Sequence, residues 1–98
     1  MRKKEEILSI LNKQMPYLKE RFSVNYIGLF GSYSRGEQKE SSDIDILVEF
    51  NKSTFDNYME LIFYLEELFG EKIELVTKKS LNPEIAEYVL EDVIWCEA

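Results

Sequence analysis

GLFGSYSRGEQKESSDIDILVEF, residues 28–50, opens apolar, breaks at Gly31-Ser32, crosses a polar loop, and ends in a second apolar run that carries Asp43 and Asp45. Upstream, VNYIGLF (24–30) reads as a buried strand that Gly31 stops. DIDILVEF (43–50) reads as a second strand, with Ile44, Ile46, Val48 and Phe50 on one face and Asp43, Asp45, Leu47 and Glu49 on the other. The two aspartates then stand roughly 6.5 Å apart along one face. Carboxylates so placed repel and raise one another's pKa, so the pair needs solvent or a cation.

Outward from this stretch the elements alternate in type. Residues 3–15 place Ile7, Ile10, Leu11 and Met15 at helical spacing; Leu18 and Phe22 extend the stripe, but Pro16 predicts a kink or an end. After the turn NKST, where Ser53 or Thr54 can cap, residues 55–69 form an apolar helix closed by Gly70. KIELVT (72–77) is a third strand, and Asn82-Pro83 starts a last helix, about 84–95, that buries Ile85, Val89 and Val93, with Trp95 a further candidate. The order α-β-β-α-β-α predicts an α+β fold. Its small mixed sheet has three strands or slightly more, with helices on one face and the acids on the open one.

The 98 residues suit one domain, residues 1–98, and 45% apolar content is enough for a core. No apolar stretch approaches the roughly 20 residues of a membrane span, and the lone Cys96 cannot form an internal disulfide; a cytoplasmic location is the expectation. A net charge of −7 argues against direct nucleic-acid binding through phosphates. The charge is uneven: residues 1–22 hold six Lys/Arg against three Glu, whereas residues 23–98 hold six against sixteen acids. Most of those acids serve solubility. Histidine is absent, which removes the commonest general base and the Ser-His and Cys-His pairs.

What remains for chemistry is hydroxyls, Lys, Arg and carboxylates. Gly31 at a strand end permits close approach to the backbone, Ser32 and successive N–H groups at a strand-to-helix turn can cradle an anion, and Arg35 follows within one turn. Alone, the dipeptide is only a turn. Asp43 and Asp45 add a pair suited to Mg²⁺, which is commonly held by one or two carboxylates plus phosphate oxygens. Glu74 interrupts an apolar strand between Ile73 and Leu75, and converges with the aspartates if strands 43–50 and 72–77 are neighbours. A solvent-facing edge glutamate and a loop-end cap account for Glu74 and Asp43 equally simply; neither accounts for Asp45.

The pattern Phe30-Gly31-Ser32, then Asp43-Ile44-Asp45, within SYSRG and SSDIDILVEF, resembles the minimal nucleotidyltransferases of the DNA polymerase β-like superfamily, and the resemblance covers nearly the whole chain. It implies that Gly31 and Ser32, with Arg35, hold a nucleoside triphosphate. It implies that Asp43, Asp45 and Glu74 are catalytic and bind Mg²⁺, two ions, with Glu74 near the attacking group. The family's third acid is usually Asp, and Glu places the carboxylate about 1.5 Å farther out. The implied reaction moves AMP from ATP to a hydroxyl. The implied partner is a small helical HEPN-type ribonuclease toxin, modified on a tyrosine, with this chain as antitoxin in a HEPN/MNT module. A hetero-oligomer or homo-oligomer would follow. Two other readings stand beside it: an antitoxin that acts by binding alone, and a transferase acting on a small molecule such as an antibiotic. The last helix carries Glu84, Glu87, Glu91, Asp92 and Glu97 with no Lys or Arg. Such a face suits a basic partner or plain solvation. Tyr58, Phe63 and Tyr64 exceed what one helix face buries, so some are candidates for an interface.

Overall fold

The computed structural model describes residues 2–96. Four strands form one sheet in the order β3-β2-β1-β4. They are β1 (Val24–Phe30), β2 (Ile44–Phe50), β3 (Ile73–Thr77) and the two-residue β4 (Ile94–Trp95). β1 runs antiparallel to both β2 and β4, and β2 runs parallel to β3. The helices are α1 (Lys4–Phe22), α2 (Gly31–Arg35), α3 (Phe55–Phe69) and α4 (Pro83–Asp92), with a 3-10 turn at Lys78–Ser80.

The main core lies between one sheet face and the pair α1 and α3. Ile7, Leu11, Met15, Leu18 and Phe22 of α1 and Leu61, Leu65 and Phe69 of α3 pack with Ile27, Leu29, Ile44, Ile46, Val48, Ile73 and Leu75. The period-2 pattern of β2 therefore sorts its residues as expected. α1 does not stop at Pro16 but continues to Phe22. Proline in a helix interior costs about 3 kcal/mol. Here two further core residues, Leu18 and Phe22, are buried by continuing, at about 1.5–3 kcal/mol each. Pro16 itself is exposed. In α3 the buried stripe is Leu61-Leu65-Phe69, while Phe55 at the first turn is 76% exposed. Thr54 caps this helix, its hydroxyl accepting the Asn57 N–H at 3.0 Å, and Gly70 closes it at φ 65°.

The second sheet face departs from the expectation of an open surface. Leu47 is fully buried there and Val89 of α4 nearly so. The end of α4 lies across Gly28: a Cβ at that position would come within 2.7 Å of Val93 Cγ2. The expected helix 84–95 ends at Asp92, because the chain turns at Val93 to pair as β4 with Gly28 and Leu29. That short fourth strand leaves Trp95 38% exposed, edge-on to Tyr26; Ile85, expected to be buried, is 54% exposed. Asn82 caps α4, accepting the Glu84 N–H at 2.9 Å, and Pro83 occupies the first turn. Phe63 is exposed, whereas Tyr58 and Tyr64 are half-buried; the Tyr58 hydroxyl donates to the Leu75 carbonyl at 2.6 Å, and the Tyr64 hydroxyl bonds Gln14. Cys96 is a buried free thiol whose pKa burial pushes up to about 11. Glu97, expected on the acidic face of the last helix, lies outside the described residues. No helix among the described residues is long and apolar enough to cross a membrane.

Candidate active site

Three strand ends meet where α4 leaves the second sheet face uncovered. β1 delivers Phe30 opposite Asp45, and β2 sets Asp45 directly beside Glu74 of β3 in the parallel ladder. The two acids are thus adjacent across strands, although their sequence positions are far apart. Glu74 is exposed and Asp45 half-buried. Burial pushes the Asp45 carboxyl up to about 6; the charge of Glu74, a hydrogen bond with the Glu74 carboxyl and the charge of Asp43 push the same way, and Arg35 opposes them. Asp43 lies one residue before β2 rather than within the expected strand 43–50, and it acts on Asp45 more weakly than Glu74 does.

Gly31 follows Phe30 directly and begins α2 at φ 75°, a left-handed conformation that favours glycine. A side chain there meets a second obstacle: a Cβ would lie 2.1 Å from Asp45 Oδ2, so the carboxylate would have to move. The Gly31-Ser32 turn and the Asp45 carboxylate therefore share one small volume, and Ser32 is half-buried beside them. α2 is held from below and from the side. Tyr33 is buried against the core, and the Ser34 hydroxyl donates to the Asp92 carbonyl at 2.8 Å. Gly36 ends the helix at φ 71°. Arg35 is exposed and pairs with the Asp92 carboxylate at 2.6 Å and with Glu37 at 2.9 Å. These two carboxylates raise its pKa.

The structure therefore joins Gly31, Ser32, Asp45 and Glu74 in one place, with Asp43 at the margin and Arg35 held to one side. Asp92 was invisible as a site residue in the sequence, because its contribution is a backbone carbonyl and an ion pair across 57 positions. A cavity of about 410 Å³ opens beside the acids, walled by Phe30, Val76, Leu81, Ile85 and Val89. Only the helical spacing of Ile85 and Val89 hinted at it.

Among the described residues, no three carboxylate or thiol side chains stand close enough to enclose a metal ion by themselves. Asp45 and Glu74 nevertheless form an oxygen-only pair whose ionised form is penalised, which fits a hard cation that completes its shell with phosphate oxygens and water.

A family model described as nucleotidyltransferase domain matches residues 11–96. A protein of Thermococcus cleftensis named protein adenylyltransferase MntA is 50% identical over 92 residues, which are 93% of each chain. A solved structure of a candidate minimal nucleotidyltransferase superposes with a TM-score of 0.77 at 33% identity, covering 91% of this chain and 92% of that one. A toxin–antitoxin crystal structure with AMP-PNP gives a TM-score of 0.70 at 26% identity, covering 86% and 70%. The chain belongs to the nucleotidyltransferase-domain family and is an enzyme of its minimal branch.

Proposed function

We propose that this nucleotidyltransferase transfers AMP from ATP to a tyrosine hydroxyl of a HEPN-type partner toxin, and so acts as its antitoxin. The observation that carries the reading is the register Asp45↔Glu74 beside a glycine turn where any Cβ would displace the Asp45 carboxylate. The site has no histidine or thiol nucleophile, and its acids gather beside a place where a phosphate chain can meet backbone N–H groups. The named activity of the Thermococcus relative and the toxin–antitoxin complex with AMP-PNP support the same reading.

In this reading Gly31 and Ser32 cradle the triphosphate, and Arg35 supplies positive charge at its edge. Asp45 and Glu74, with Asp43, would hold Mg²⁺, and a bound ion would supply charge neutralisation for the phosphates and the leaving pyrophosphate. The acceptor hydroxyl, oriented at Glu74, attacks the α-phosphorus in line. Its oxygen forms the new P–O bond as the bond to the β-phosphate oxygen breaks, pyrophosphate leaves, and the hydroxyl proton passes to the Asp45–Glu74 carboxylates. The protein contributes position and charge rather than a covalent intermediate.

The test is label from α-³²P-ATP on the HEPN partner. Label that appears with the native chain and vanishes with Asp45→Ala supports transfer. Neutralisation of the toxin that survives Asp45→Ala, without any label, overturns it in favour of a binding antitoxin. That second reading has one observation of its own: α4 exposes Ile85 and Tyr88 among Glu84, Glu87 and Glu91, an apolar strip with an acidic border.

A further inference from the structure

The cavity beside Glu74 is not explained by the phosphate turn. Its walls are Phe30 at the end of β1, Val76 on β3, Leu81 just before α4, and Ile85 and Val89 on α4; Gly31 and Ser32 do not line it. Val76 stands two positions beyond Glu74 and shares its sheet face. Leu81, Ile85 and Val89 supply the opposite wall. The Ser80 hydroxyl and the Asn82 side-chain oxygen at the border are already engaged. The Ser80 hydroxyl donates to the Thr77 carbonyl at 3.0 Å and accepts from the Thr77 hydroxyl at 2.8 Å; the Asn82 side-chain oxygen caps α4. An apolar slot is left, with carboxylates at one end only.

We propose that this slot is the acceptor subsite and that it takes an aromatic ring, a tyrosine of a protein substrate, with the phenolic oxygen at Asp45 and Glu74. The inference rests on the transferase reading above and adds the residues that select the acceptor. A ring needs flat apolar walls and one polar end; a nucleobase needs donors and acceptors along its edge, and the Ser80 hydroxyl and Asn82 side-chain oxygen are already bonded within the chain. Ile85 is 54% exposed and Tyr88, one turn on, 70% exposed. An exposed apolar rim continuous with the slot suits the residues flanking a tyrosine in a folded protein.

The test uses methyl-labelled full-length protein in NMR titrations. N-acetyl-tyrosinamide shifts the Leu81, Ile85 and Val89 methyls, with or without bound AMP-PNP and Mg²⁺, and N-acetyl-serinamide does not. Ile85→Asp, with unfolding temperature unchanged, loses those shifts while its affinity for AMP-PNP stays within twofold. In label transfer the same variant raises KM for the partner protein roughly tenfold or more, the scale of a lost apolar contact in a specificity pocket, and leaves KM for ATP unchanged. The proposal is overturned if AMP-PNP alone moves these methyls and excludes the tyrosine probe, or if the tyrosine probe moves none of them. Failure of the transfer reading looks different: the tyrosine probe binds, yet no label reaches the partner.

Discussion

Gly31 and Asp45 compete for the same space: a methyl group at position 31 would sit 2.1 Å from Asp45 Oδ2. The backbone of one residue is thus held against the carboxylate of the other, and the phosphate turn and the acid pair are one construction.

Gly31→Ala is expected to destabilise the fold by about 1–3 kcal/mol, from the left-handed backbone and the clash together. Because Asp45 must move, AMP transfer should fall about 100-fold, the usual consequence of roughly 1 Å of misplacement. Urea unfolding and label transfer read the two effects. Wild-type transfer by this variant would show that the turn and the acid are independent.

Asp45→Asn should separate stability from activity. Asp45 has a folded pKa of about 6 against an ordinary 3.8. Native protein therefore binds the proton more tightly than unfolded chain does, and this group's contribution to stability falls as pH rises from about 4 to about 6. At pH 7 the ionised group opposes folding by about 1–2 kcal/mol, after discounting for its partial exposure. Metal-free Asp45→Asn should accordingly melt several degrees higher than wild type at pH 7, no higher near pH 4, and transfer no AMP. A lower melting temperature for the variant at pH 7 would contradict the electrostatic account.

Glu74→Gln removes the charge that most raises Asp45 after burial itself. The Asp45 carboxyl, followed by carbon NMR in metal-free protein, should titrate below its native midpoint. Transfer should drop by about 100-fold or more, the scale of a lost electrostatic group in a catalytic site. Glu74→Asp keeps the charge but shortens its reach by about 1.5 Å, so it should retain measurable transfer where the glutamine variant does not. Equal loss in both would mean that distance rather than charge governs this position.

Pro16→Ala is expected to raise stability by about 1–2 kcal/mol, since an exposed proline interrupts the hydrogen bonding of a 19-residue helix. Part of the gain is offset by the greater freedom of the unfolded chain. Thermal unfolding should move upward by several degrees with the AMP-PNP affinity unchanged.

The two strands around the Gly-Ser break were legible because period-2 alternation is strong when one face is buried, and β2 buries Ile44, Ile46 and Val48 completely. The helix limits were less legible for a shared reason: tertiary burial overruled local signals. Pro16 suggested an end, but the stripe Met15-Leu18-Phe22 carried α1 onward. Val93 and Trp95 fitted a helical stripe, yet β1 offered an unpaired edge, and Gly28, lacking a side chain, let the chain lie against it as β4. In the site, Glu74 could be suspected as a charge in an apolar strand, and its parallel pairing with Asp45 decided its place. The tie from Ser34 and Arg35 to Asp92 had no periodic signature, because it joins a five-residue helix to the end of another one.

The strand order gives the acids unequal shelter. Asp45 stands on an interior strand clasped from both sides, whereas Glu74 stands on β3, the border of the sheet, with one neighbour only. A change at Asp45 disturbs the middle of the molecule; a change at Glu74 disturbs its margin. Catalysis can therefore be retired at the border while the fold stays intact.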